Sequence, residues 1–151
     1  VSCTVRTANR VDLPALCALL GELFAIEADF RPEPARQWVG LERLLERSQE
    51  AVVLVAERQG EVIGMCTAQV LISTSEGGEV ALVEDVVVRG DQRGGGSGSA
   101  LLVALEAWCR QRGIRRMQLL ADRSNTSALE FYRRKGWQPT QLMAWRKYSG
   151  K

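Results

Sequence analysis

Residues 94 to 98 hold four glycines in five positions, Gly94, Gly95, Gly96 and Gly98, broken only by Ser97. Such a run loses more backbone entropy on folding than other residues would, so a plain connection has no need of it. It follows Val80 to Arg89, an apolar run that reads as a strand, with Val86-Val87-Val88 predicting that both faces are covered at that end. It precedes Leu101, Leu102, Leu105 and Trp108, which recur at helical spacing and predict an amphipathic helix from about Gly96 to near Gly113. Strand, glycine loop and helix together allow backbone amides to approach a phosphate closely, backed by the positive end of the helix dipole. A pyrophosphate fits that environment. The bland alternative is a tight strand-to-helix turn that is merely rich in glycine.

Two common phosphate loops can be tested against these residues. A Walker loop ends in Gly-Lys-Ser/Thr, whereas this chain reads Gly98-Ser99-Ala100, so that reading fails. A dinucleotide fingerprint could start at Gly94 and Gly96, with Asp122 as its acidic residue, but Ser99 occupies the last glycine position. Dinucleotide domains also need several strand-helix-strand crossovers, and the pattern here supplies one. A nicotinamide-dinucleotide-binding domain stays open as an alternative.

The remaining pattern frames the loop. Val1 to Thr7 alternates as a strand, and Asp12 before Leu13-Pro14 predicts a capped helix to about Phe24. Pro34 opens a second helix to near Ser48, with Trp38, Leu41, Leu44 and Leu45 as its expected buried stripe. Ala51 to Arg58 and Glu61 to Ser73 read as strands joined at Gln59-Gly60, and Ser75 to Gly78 as a further turn. Arg115 to Ala121 returns to strand, Asn125 to Arg134 reads as a short helix closed by Gly136, and Trp137 to Tyr148 as a last strand or hairpin. The expected fold is α/β (α+β): one domain over residues 1–151, with a mixed, mostly antiparallel sheet and helices on its faces.

Composition narrows the chemistry. The 151 residues carry a formal net charge of +2, which argues against the broad basic surface of a nucleic-acid binder. No apolar run approaches the roughly 20 residues of a membrane helix, and no leader pattern is visible, so the reading is a cytoplasmic protein with no membrane partner. The four cysteines form no CxxC pair and there is no histidine, so no metal site is expected. The missing histidine also removes the commonest general base, leaving carboxylates, Tyr, Cys, Lys or water for proton transfer. Cys66 and Cys109 lack a histidine to activate them and read as buried packing residues.

Arg93-Gly94-Gly95-Gly96-Ser97-Gly98 resembles the Arg/Gln-x-x-Gly-x-Gly/Ala signature of the GNAT superfamily of N-acetyltransferases. A second block, Asn125-Thr126-Ser127-Ala128-Leu129-Glu130-Phe131-Tyr132 with Gly136-Trp137, is similar to that family's Asn-x-x-Ala-x-x-Phe-Tyr-x-x-x-Gly-Phe, Trp137 standing where Phe is commoner. The resemblance implies acetyl coenzyme A as donor and an amine, small molecule or peptide, as acceptor. It implies that amides of Arg93, Gly94, Gly95, Gly96, Ser97, Gly98 and Ser99 bind the pyrophosphate. The strand Val86-Val87-Val88 would pair with the pantetheine arm through Val86 and Val88, and Asn125 would contact that arm, although Asn125 equally suits a helix cap. Two parallel strands, Val80 to Arg89 and Arg115 to Ala121, would splay into a V around the arm. Family members often dimerise through their C-terminal strands, which implies a homodimer as one option.

The same resemblance makes Tyr132 the acid that protonates the departing thiolate. Glu84, just before the pantetheine strand, is the expected base. Alternation puts Glu84, Val86 and Val88 on one face and Asp85 and Val87 on the other, and a bulge would hand the role to Asp85. Phe24, Glu27, Asp29, Phe30 and Trp38 combine aromatic and acidic groups in a way that suits a cationic amine, against the alternative of a solvated acidic loop. Arg89, Arg133, Arg134 and Lys135 are candidates for the cofactor's outer phosphate. A non-catalytic acyl-coenzyme-A-binding module is the other reading that these residues allow.

Overall fold

The computed structural model describes residues 2–27 and 29–150. The chain runs β1 (Thr4–Thr7), a 3-10 turn (Arg10–Asp12), α1 (Leu13–Ile26), α2 (Pro34–Glu46), β2 (Ala51–Arg58), β3 (Glu61–Ser73) and β4 (Gly78–Val88). A second 3-10 turn (Gly90–Gln92), α3 (Ser97–Gln111), β5 (Met117–Leu119) and α4 (Thr126–Arg134) follow. The sheet order is β1-β2-β3-β4-β5, antiparallel except for the parallel pair β4 and β5. This is the mixed sheet expected from the pattern. The β2–β3 connection is two residues, Gln59 at φ 53° and Gly60 at φ 78°, the double positive φ that a tight right-twisted hairpin demands.

Alternation along the strands gives the sheet two apolar faces. On one, Leu13, Leu16, Leu19 and Leu20 of α1 and Leu41 of α2 close over Val53, Val55, Met65 and Val87. On the other lies α3, whose Leu101 comes so close that a Cβ on Gly64 would meet its Cδ1 at 3.3 Å. Each fully buried leucine contributes roughly 1.5–3 kcal/mol, so these two layers carry the fold.

Two local expectations are corrected. Asp12 does not cap α1 with its side chain; Asn9 caps the preceding 3-10 turn, and the Asp12 carboxylate accepts from the Asn9 amide at 2.8 Å and from Arg6 at 2.8 and 2.9 Å. The Arg6 guanidinium holds that carboxyl below its usual range. On α2 the buried position near the start is Gln37 at 8% exposure, not Trp38 at 37%. Gln37 stands four residues before Leu41, on the same helical stripe, so the helix phase is set one residue earlier than the aromatic suggests.

By packing, the chain divides into a unit ending at Leu119 and a second from Leu120 onward. In the second unit Asn125 accepts from the Ala128 amide at 3.2 Å and caps α4, and Gly136 at φ 89° ends it. The strand expected over Trp137 to Tyr148 does not form. A strand exists only where a neighbour takes up its N–H and C=O groups, and no described residue does so here; Leu142, Met143, Trp145 and Tyr148 are exposed. Among the described residues no helix is long and apolar enough to cross a membrane.

Candidate active site

The parallel pairing of β4 with β5 covers three residues, Ala81, Leu82 and Val83 against Met117, Gln118 and Leu119. Beyond Val83, β4 continues to Val88 paired only with β3. Arg89 donates its amide to Ile63 of β3 at 2.7 Å, so by antiparallel alternation Val88 turns its N–H and C=O to the opposite, unpaired edge. The Val88 carbonyl there accepts from Arg93 Nε at 3.1 Å. An open strand edge therefore leads directly into the glycine loop.

Within the loop Gly94 sits at φ 82° and Gly96 at φ 87°, conformations that a side chain would strain. Gly96 stands at the N-cap of α3 without a side chain to cap it, and the first bonded amide of the helix is that of Ala100, to Gly96 O at 3.0 Å. The amides of Ser97, Gly98 and Ser99 thus begin the helix without intrahelical acceptors. Their N–H groups and the positive end of the helix dipole share this turn. Arg89, a candidate for the outer phosphate, pairs with Asp91 at 2.7 Å and Glu61 at 3.4 Å.

Midway along β4 the register slips. Met65 faces Val87 and Thr67 faces Glu84, so the single residue Cys66 opposes two, Asp85 and Val86. This bulge overturns the expected alternation: Glu84 and Val87 lie on one face, that of Thr67 and Met65, because paired residues share a face. Asp85 takes φ 56°, a left-handed conformation uncommon for a residue with a side chain. Thr67 fastens it, its hydroxyl lying 3.1 Å from Glu84 O and 3.3 Å from Asp85 Oδ2.

The electrostatics follow from this packing. Burial first, then the charge of Glu84, push the half-buried Asp85 carboxyl up to about 6; the Thr67 hydroxyl pulls it down and Glu27 adds a smaller upward push. Glu27 ends α1, where Phe24 and Phe30 stack with ring centres 5.1 Å apart. Of the expected acceptor residues, Phe24 and Phe30 are thus brought together, and Glu27 lies within electrostatic reach of Asp85. Asp29 and Trp38 are exposed. Burial pushes the Cys66 thiol up to about 12, and the Cys109 thiol also upward, so neither supplies a ready thiolate. In the second unit the half-buried Tyr132 lies in α4 with ring contacts to Phe131 at 5.5 Å and Trp137 at 6.0 Å.

Two contributors were not singled out from the sequence. Thr67 is one polar residue in a strand of mixed composition, and its value depends on a register slip that no local pattern announces. Arg58 ends β2, and its guanidinium reaches Gln92 Oε1 at 2.9 Å and Gly95 O at 3.3 Å. Its place beside the hairpin glycine reads as ordinary surface charge.

Together these features define a class: mixed α/β domains in which a strand edge opens beside the glycine-lined start of a helix. The acetyltransferase (GNAT) family model matches residues 15–137. The chain belongs to that family. It is 34% identical over 115 residues to a mycothiol acetyltransferase of Thermobispora bispora, covering 72% of this chain and 39% of that protein. It is 31% identical over 101 residues to an uncharacterised N-acetyltransferase of Methanocaldococcus jannaschii, covering 66% of this chain and 44% of that one. The chain thus spans less than half the length of these two relatives. In fold it is similar to glucosamine-6-phosphate N-acetyltransferase from Arabidopsis thaliana, with a TM-score of 0.77 at 19% identity over 99% of this chain and 100% of the other.

Proposed function

We propose that the protein transfers an acetyl group from acetyl coenzyme A to a primary amine, of a small molecule or a peptide, by direct attack. The observation that carries this reading is the continuity of the open β4 edge with the uncapped, glycine-lined start of α3. The amides of Gly96 to Ser99 would hold the diphosphate, and Val86 to Val88 the pantetheine arm. The donor supplies an activated thioester; the chain supplies position and proton transfer.

The amine must lose a proton and the thiolate must gain one. With β4 bulged at this point, Asp85 would be the base in this reading. A carboxyl titrating near 6 is ionised at neutral pH yet basic enough to accept a proton, directly or through water. The exposed Glu84 alongside keeps the Asp85 carboxyl up and would draw a cationic amine toward it. Phe24, Glu27 and Phe30, with Asp29 and Trp38 nearby in the chain, would form the acceptor's surroundings. Tyr132 would protonate the leaving thiolate, and Asn125 would serve the arm as well as capping α4.

Thiol release from acetyl coenzyme A across an amine panel tests the reading. Tight coenzyme binding without transfer to any amine would instead favour a non-catalytic module. Stabilisation by a nicotinamide dinucleotide alone would overturn the donor assignment. Tyr132→Phe is expected to lower turnover by about 10- to 100-fold with donor affinity little changed, and unchanged turnover removes Tyr132 from its role.

A further inference from the structure

The family signature leaves Gly94 and Gly95 unspecified, yet both are glycine here. The positive φ of Gly94 accounts for the first. Gly95 has another cause: a Cβ there would stand 3.1 and 3.2 Å from the two terminal nitrogens of Arg58. That guanidinium donates through Nη1 to Gln92 Oε1 at 2.9 Å and through Nη2 to Gly95 O at 3.3 Å, with Ser97 Oγ at 3.5 Å. Its Nε is buried without a partner. None of these acceptors is a carboxylate, so a half-buried positive charge stands directly behind the loop with no counter-charge among its bonded partners.

The peptide between Gly95 and Gly96 is trans and planar, so its oxygen and its N–H point in opposite directions. Tying the oxygen to Arg58 turns the Gly96 amide the other way, out of the loop. We infer that Arg58 is the positioning residue of the anion loop: it fixes the Gly95–Gly96 peptide so that the Gly96 amide faces the ligand, and it backs the bound diphosphate with positive charge. Gly95 is the companion of that role, because a Cβ there would press the guanidinium back from its seat by a few tenths of an ångström. This rests on the reading of the loop as a coenzyme A site.

Because the atoms a Gly95 Cβ would meet are the far end of a flexible side chain, Gly95→Ala is expected to fold while displacing Arg58. Titration calorimetry with unacylated coenzyme A, and amide hydrogen exchange on the free protein, test this. Arg58→Met and Gly95→Ala should each raise the dissociation constant at least tenfold and speed exchange over residues 93–99. The double variant should be no worse than either single one. Arg58→Lys, which keeps the charge but not the fork, should lose less affinity than Arg58→Met. In turnover assays the donor KM should rise while kcat at saturating donor stays near that of the wild type. If Arg58→Met does not fold, Arg58→Lys and Gly95→Ala carry the same comparison. Wild-type binding with undiminished affinity in the variants, or additive losses in the double variant, overturns the inference alone. Failure of the wild type to bind coenzyme A overturns the loop reading and this inference with it.

Discussion

The glycine loop and the β4 bulge lie within a dozen residues of each other, and both depend on backbone in the left-handed region, but they reach it differently. Gly94 and Gly96 take φ 82° and 87° without a Cβ to oppose it. Asp85 takes φ 56° with a side chain, at a cost of roughly 1 kcal/mol that neighbours must offset. Those neighbours are the β3 register and the Thr67 hydroxyl. The loop is shaped by what its residues lack, the bulge by what surrounds it. Binding a constant anion suits the first. Tuning a proton acceptor suits the second, because the packing that forces the bulge also buries the carboxyl and raises its pKa.

The hardest blow to that contrast falls on the bulge. Asp85→Asn is expected to cut kcat/KM by 10²-fold or more, within the usual range for a general base, and to abolish the rise in rate with pH through about 6. Glu84→Gln should cost much less and move that rise to lower pH, because the Glu84 charge is one of the causes that hold Asp85 up. The reverse ranking of the two variants in a pH–rate series would return the base to Glu84. Stability should move oppositely to activity. A carboxyl raised by folding favours the protonated state, so its contribution is full below the ordinary carboxylate range and is lost as pH rises through about 6. Asp85→Asn should therefore melt higher than the wild type at pH 7.5, by on the order of 2 kcal/mol, and the advantage should fade toward pH 4.

A smaller effect is expected at the loop. Gly96→Val places a β-branched residue at φ 87° at the start of α3 and should weaken coenzyme A binding by about tenfold while leaving the pH limb near 6 in place. Calorimetry and the same pH series separate the two outcomes. Unaltered affinity would break the loop assignment, and a displaced pH limb would mean that loop and bulge are not independent.

The contrast also explains what the sequence allowed to be read. Strand and helix ends followed from punctuation such as Gln59-Gly60 and Pro34, and the loop from glycines whose conformational freedom is a property of the residue itself. The bulge was legible only as a conditional, since adjacent carboxylates in a strand do not reveal which of them a register slip will bury. Trp38 misled because a large aromatic looks like core, whereas the helix phase was set by Leu41 four residues from Gln37. The strand expected over Trp137 to Tyr148 finds no hydrogen-bonding neighbour among the described residues, and a local pattern cannot supply one. Arg58 shows the same limit: its value comes from Gln92, Gly95 and Ser97, more than thirty positions away in the chain.

The finest test is Thr67→Val, which keeps the shape of the side chain and removes its hydroxyl. It deprives the Glu84 carbonyl of a donor at 3.1 Å, and a loss of about 1 kcal/mol in stability is expected. Its sharper consequence is for Asp85. The hydrogen bond from the Thr67 hydroxyl pulls the Asp85 carboxyl down, so without it the acid limb of the pH–rate profile should climb above its wild-type position near 6. At pH well above that limb the carboxylate is ionised in both proteins, and the limiting rate should agree within about twofold, because no group that touches the reacting atoms has been removed. A limb that stays put while stability falls would show that the titrating group is not the one Thr67 holds, and the bulge would then be a structural device without a part in moving the proton.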